Sequence, residues 1–224
     1  MKRTIAAIHA TYKAVEPMMK AFRTLAPQYE IVNYVNEELL AAVNRSHGPG
    51  KKELRMFSRL IFEAMESEAD AILVCCSVFC AYVPLMRNFS DVPIVAVNEP
   101  MLRRAAGIGG RIGVISTTEA SAPKTQEQIE EILKEMGKKA VFSHEIAAEA
   151  MTALRRGDEK EHNRIIARQA EELRKQGCDC VVLSQITIAQ AKDEIPKEGC
   201  PILTSPEECV REICRLCGDR VEGA

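Results

Sequence analysis

The feature that most limits what this chain can fold into is an internal repeat. Ile5-Ala-Ala-Ile8-His9-Ala10-Thr11 aligns with Ile112-Gly-Val-Ile115-Ser116-Thr117-Thr118. Asp70-Ala-Ile-Leu-Val-Cys75-Cys76 aligns with Asp179-Cys-Val-Val-Leu-Ser184-Gln185, and Pro93-Ile-Val-Ala-Val-Asn98-Glu99 with Pro201-Ile-Leu-Thr-Ser205-Pro206-Glu207. The offsets are 107, 109 and 108 residues. Any one apolar run resembles another by chance, but three anchors at nearly one spacing define two similar halves. No Gly/Ser-rich linker separates them, which fits packed halves rather than a flexible tandem.

Eight short apolar runs recur, six of them within the anchors: Ile5–Ile8, Glu30–Tyr34, Ala71–Cys75, Pro93–Val97, Ile112–Ile115, Val141–Ser143, Cys180–Leu183 and Pro201–Leu203. Continuous runs, rather than alternation, mark strands covered on both faces. Between them lie helical patterns with clear punctuation. Asp158 and Glu161 form a capping box, and Gly177 closes the helix they open. Ser205-Pro206-Glu207-Glu208 supplies a cap, a first-turn proline and an N3 carboxylate. Alternating β and α predicts an α/β protein with parallel sheets and right-handed crossovers. The expected architecture is two parallel-sheet α/β halves related by a pseudo-two-fold axis: residues 1–98 with 206–224, and residues 99–205. Ligands of such sheets sit beyond the carboxyl ends of strands, so a shared cleft between the halves is expected.

Composition narrows the partner. Thirty Lys and Arg against 32 Asp and Glu give a formal charge of −2, with no basic block. That argues against nucleic acid and anionic membranes. Aromatic residues are 4% and Trp is absent, which argues against platforms for stacking bases or sugars. The apolar start at Thr4–Ile8 is interrupted too early, by His9, Thr11, Tyr12 and Lys13, for a secretory signal, and no run reaches membrane-span length. A cytoplasmic protein is expected, with its nine cysteines reduced. The ligand to expect is a small molecule.

The strand ends carry the candidate chemistry. His9, Ala10 and Thr11 follow the first strand, and Thr117 and Thr118 hold the matching place. Cys76, Ser77 and Val78 follow the third strand, matched by Gln185, Ile186 and Thr187. Hydroxyls beside backbone N–H groups suit a carboxylate. A thiol there can act as base or nucleophile once ionised. From spacing alone Cys76 is as readily an inert buried cysteine as a functional one. Asn98 ends a strand and can cap the next helix or meet a ligand. Cys75 alternates away from Cys76 and reads as core; Cys178 and Cys180 lie at the wrong end of their strand. Cys214-x-x-Cys217 with Cys209 falls on a helical pattern without a second ligand pair, so helix core is preferred to a metal knuckle. His162 reads as a solvated helix residue, and His47 precedes a Gly48-Pro49-Gly50 turn that can border the site.

The two-half pattern with Cys76 closing the third strand resembles the aspartate/glutamate/hydantoin racemase superfamily over nearly the whole chain. The resemblance implies catalysis without metal or cofactor, using one cysteine from each half on opposite faces of the substrate's α-carbon. Cys76-Ser77-Val78 matches the first cysteine motif, which usually reads Cys-Asn-Thr. The second cysteine falls on Gln185, which cannot shuttle a proton, and Thr187 stands where glutamate racemases carry a histidine. His9 occupies the place of an aspartate beside the first cysteine, and so is the expected partner or replacement acid/base for Cys76. The implied substrate is a small carboxylate or amino acid, held by Thr11, Ser77, Val78, Asn98, Thr117, Thr118, Gln185, Ile186 and Thr187. The implied assembly is a homodimer or higher homo-oligomer. Two alternatives remain at this point: a single-cysteine decarboxylase or lyase of the same superfamily, and a non-catalytic small-carboxylate binding protein.

Overall fold

The computed structural model describes residues 2–46, 48–119, 121–219 and 221. His47 therefore lies outside the described residues. The chain divides into two compact units, Met1–Pro100 with Pro206–Ala224, and Met101–Ser205. Each contains one four-stranded parallel sheet.

In the first unit, β1 (Thr4–His9), β2 (Glu30–Val35), β3 (Ala71–Val74) and β4 (Ile94–Ala96) lie in the order β2-β1-β3-β4. They alternate with α1 (Val15–Leu25), α2 (Glu37–Ser46), α3 (Lys51–Met65) and the short α4 (Val83–Arg87). Next along the chain comes α5 (Glu99–Ile108). In the second unit, β5 (Gly110–Ser116), β6 (Ala140–Ile146), β7 (Cys180–Leu183) and β8 (Ile202–Thr204) lie in the order β6-β5-β7-β8, with α6 (Ser121–Glu135), α7 (Ala148–Arg155) and α8 (Glu159–Lys175) between them. The last helix, α9 (Ser205–Leu216), follows β8.

The repeat read from the sequence is the repeat of the sheets. Ile5 is registered with Ala71, and Ile112 with Cys180; Ile72 pairs with Ile94, and Val181 with Ile202. These pairs fall at matching positions of the aligned segments. The aspartate of the second anchor has one job in both units. Asp70 Oδ2 accepts from Thr4 N at 2.8 Å, and Asp179 Oδ2 from Arg111 N at 2.7 Å. Each carboxylate thus satisfies an amide where a central strand begins. In the second unit the close approach needs glycine. Gly110 has φ +66°, and a Cβ there would stand 2.1 Å from Asp179 Oδ2.

The inner strands β3 and β7 are buried throughout, as their unbroken Ala-Ile-Leu-Val and Cys-Val-Val-Leu runs require. The edge strands differ from the expectation of two covered faces. Val32 and Val35 on β2 and Val141 on β6 are exposed, whereas the opposite edges, β4 and β8, are buried throughout. One face of the first sheet packs Ala6, Ile8, Ile72 and Val74 against Phe57, Ile61 and Phe79. Phe57 and Phe79 stack with ring centroids 4.7 Å apart.

Three local expectations are corrected. Asp158 does cap α8, its Oδ1 accepting from Glu161 N at 3.0 Å, but Glu161 does not complete a box; its carboxylate takes two bonds from Arg164 instead. His162 is fully buried rather than solvated, with Nδ1 2.8 Å from Ala150 O, because α7 packs over that side of α8. Ser205 is not an external cap. It is the first residue of α9, fully buried, and its Oγ has no partner.

Candidate active site

The carboxyl ends of the central strands can be compared residue by residue. In parallel pairs, registered residues share a face and successive residues alternate. Ile8 is registered with Val74, so His9 stands beside Cys75, and Ala10 and Cys76 leave on the opposite face. Ile115 is registered with Leu183, so Ser116 stands beside Ser184, and Thr117 beside Gln185. The two units therefore fill the same four places with different chemistry.

In the first unit, Cys76 is half-buried and packs against the core that contains Ala10, Val74 and Phe79. It leads into a 3-10 turn, Ser77–Tyr82, which Phe79 anchors by burying its ring against Phe57. Burial pushes the Cys76 thiol above its ordinary pKa, while the N–H groups of Val78 and Phe79 favour the thiolate and pull the other way. The resting group is a thiol, with backbone donors in place for its anion. Ser77 is exposed and Val78 half-buried beside it. Thr11 is half-buried and accepts from Lys13 N at 3.4 Å, which caps the short turn Tyr12–Ala14. Asn98 is half-buried at the turn before α5, and its backbone, with that of Val97, faces the thiol of Cys80.

His9 is not brought to Cys76. It is fully buried on the other face of β1, where Nε2 lies 3.0 Å from Asn33 Oδ1 on β2. Asn33 in turn donates to Met19 Sδ on α1. The Asn33 oxygen makes Nε2 the protonated ring nitrogen and leaves Nδ1 bare, with no partner. Burial lowers the His9 pKa, and the Asn33 bond only partly offsets that. A neutral imidazole on the opposite face neither forms an ion pair with Cys76 nor lowers its pKa. The expected pairing is thus replaced by a His9–Asn33 bond, because alternation along β1 turns the ring away.

In the second unit, both faces are closed by side-chain bonds. The Ser116 and Ser184 hydroxyls lie 2.7 Å apart and buried. Gln185 Oε1 accepts from Thr117 N at 2.9 Å and from Thr117 Oγ1 at 2.8 Å. An amide N–H can only donate, so the atom it meets must be the Gln185 oxygen, and the NH2 is directed elsewhere. Thr118 is exposed and exchanges a 2.7 Å bond with Ser121 Oγ. Ile186 and Thr187 are half-buried in the 3-10 segment after Gln185.

Sequence reasoning missed Asn33 and the Ser116–Ser184 pair. The serines were visible, since the repeat sets them opposite His9 and Cys75. Asn33 had a weaker signal, one polar residue inside an edge strand. Elsewhere, Cys75 and Cys209 are buried with pKa values raised by burial, and Cys180 is pushed up to about 12. Among the described residues, no group of three or more His, Cys, Asp or Glu is placed to hold a metal ion, and no helix is long and apolar enough to cross a membrane.

Comparison with known proteins places the fold. No curated protein matches the sequence. Solved structures share the fold. An aspartate racemase homologue from Pyrococcus horikoshii OT3 superposes with a TM-score of 0.73 at 15% identity, covering 98% of this chain and 100% of that one. Glutamate racemase isoform RacE1 from Bacillus anthracis gives 0.65 at 18%, covering 97% and 83%. Allantoin racemase from Pseudomonas fluorescens gives 0.61 at 17%, covering 97% and 92%. The family model for Asp/Glu/Hydantoin racemase matches residues 6–213, nearly the whole chain, and so the chain is a member of the Asp/Glu/Hydantoin racemase family.

Proposed function

We propose that this protein is a cofactor-independent, racemase-type enzyme acting at the carbon next to a carboxylate, on a small amino acid or related acid, with Cys76 as its proton-transfer group. The observation that supports this reading most is the Cys76 thiol at the end of β3, with the Val78 and Phe79 N–H groups beside its sulfur, in a chain of the racemase family. The Cys76 thiolate takes the α-proton, and the electron pair left on carbon spreads into the carboxylate as an enediolate. Water returns a proton to that carbon, since Gln185 has none to exchange at neutral pH and His9 is neutral on the other face. Each strand end offers hydroxyl and amide donors suited to a substrate's carboxylate: Thr11, Ser77, Val78 and Asn98 beside Cys76, and Thr118, Gln185, Ile186 and Thr187 in the second unit, where Thr117 spends its own donors on Gln185.

A second reading is favoured by one observation. Burial keeps the resting Cys76 protonated, which suits a proton donor better than a base. In a decarboxylase or lyase, the bond to a carboxyl group breaks, carbon dioxide leaves with neither bonding electron, and the Cys76 S–H protonates the resulting carbanion. One thiol suffices for that reaction.

Proton NMR in deuterated buffer separates the readings, using D- and L-amino acids, hydantoins and small dicarboxylates as the panel. Loss of an α-proton signal with the skeleton intact supports the first. Carbon dioxide release with a new C–H or C–D bond supports the second. Neither reaction with any member, in a protein that still binds carboxylates, contradicts both and leaves a binding protein.

A further inference from the structure

We infer that Thr117 is a positioning residue that locks the Gln185 amide as a fixed donor for a carboxylate oxygen, so that the strand end carrying Gln185 holds substrate and does not move protons. This deepens the proposed function and rests on it for the identity of the ligand as a substrate. Free glutamine side chains present oxygen or NH2 to a ligand at will, because rotation about the last torsion exchanges them. Here the choice is made by the main chain. Thr117 N–H and Thr117 Oγ1–H converge on one oxygen, at 2.9 and 2.8 Å, and the backbone donor cannot be reversed.

Thr117 is itself fixed, being only 4% exposed and continuing β5 from Ser116, whose hydroxyl is tied to Ser184. Both oxygen lone pairs of Gln185 are then used, and both amide hydrogens remain for an acceptor. Gln185 is only half-buried, so a ligand can reach it. The two N–H donors of the amide nitrogen diverge, so one meets a carboxylate or enediolate oxygen while the other meets a second acceptor, and both repel a cation. The matching place in the first unit is Ala10, which has no side-chain donor to offer Cys76.

The test uses Cys76→Ser protein, so that no turnover intervenes, with malonate, acetate and L-aspartate as probes. The Gln185 side-chain NH2 resonances, assigned by their loss in Gln185→Ala, are followed by NMR during titration. The expected result is a saturable shift of both hydrogens with at least one probe. Thr117→Val should weaken that probe's binding by about threefold to tenfold, the value of one neutral hydrogen bond, and Thr117→Ser should restore it. Rescue by serine is what a purely steric role would not give, and Thr117→Ser also keeps the test open if the valine variant does not fold. No shift of Gln185 with any probe up to tens of millimolar, or equal binding by the valine and serine variants, overturns the inference. Because the readout is binding by a protein lacking Cys76, it can succeed while the α-proton exchange assay fails, and the reverse.

Discussion

The two strand ends are built on one backbone plan and finished in opposite ways. Where the second unit has Thr117 bonded to Gln185, the first has Ala10 beside an unclamped Cys76. Where the second has a Ser116–Ser184 bond, the first has His9 beside Cys75, with His9 turned to Asn33. The second unit's end is thus a set of neutral groups bonded to one another that leaves the Gln185 NH2 as its donor, and the first unit's end carries the one group of the four central places suited to proton transfer. Duplicated folds keep a shared scaffold while their sites diverge, because the sheet register depends on apolar strands and the chemistry on the few residues past their ends.

The sharpest way to break this comparison is to truncate each end in turn. Cys76→Ala is expected to reduce the proposed reaction by about 10²–10⁴-fold, the usual worth of a positioned general acid or base. Gln185→Ala is expected to raise KM with a much smaller loss of kcat, since it removes binding rather than proton transfer. Steady-state kinetics on the substrate found by NMR checks both. Equal collapse of kcat in the two variants would erase the distinction.

The next effect is on pH dependence. Burial raises the Cys76 pKa above its ordinary value of 9.0, so the thiolate is the minority form near neutrality. A reaction that uses the thiolate as base is expected to quicken with pH from 7 upward, by about tenfold per unit well below the thiol's pKa, and to go on rising beyond 9. A plateau below pH 8 would mean that something on the bound substrate's side lowers this pKa. A rate that stays flat from pH 7 upward and falls only above pH 9 would instead identify the protonated thiol as the active form, as the decarboxylase reading requires.

Smaller effects test the scaffold. Asn33→Ala removes the His9 Nε2 partner and is expected to cost about 1–2 kcal/mol, read as a lower urea midpoint. The sign of its pH dependence follows from His9. Its folded pKa is lowered, so the unfolded chain binds the proton first, and stability present above pH 6.5 is lost as the pH falls. The Asn33 bond raises the His9 pKa, so its removal should steepen that acid loss. Smallest of all, Asp70→Ala and Asp179→Ala should each cost about 1 kcal/mol and nearly the same amount, since both cap one amide at the start of a central strand. A large difference between them would show that the repeat is not energetically symmetric; Arg3, 3.5 Å from Asp70, is the first place to look.

Much of the fold was legible because apolar anchors determine register. The alignment of Ile5 with Ile112 and of Asp70 with Asp179 reappears as matching strand pairs. The site was legible in its residues and less so in their directions. That Cys76 and Gln185 occupy one place follows from the repeat, but their neighbours follow from which face each strand presents beyond its last apolar residue. His9 shows the limit: it ends the correct strand, yet alternation puts it beside Asn33 on the face away from Cys76. That contact depends on the β1–β2 pairing, and β2 lies outside the three aligned anchors. His162 and Ser205 were misread for a similar reason, since helix packing buried polar groups that local punctuation alone would leave in water.

The most direct measurement of the central claim is α-proton exchange in deuterated buffer by wild type, Cys76→Ala and Gln185→Ala, on the panel member that wild type turns over. The account predicts exchange that Cys76→Ala loses at every substrate concentration and that Gln185→Ala recovers when substrate is raised. Exchange that survives in Cys76→Ala, or that no concentration restores in Gln185→Ala, would contradict it.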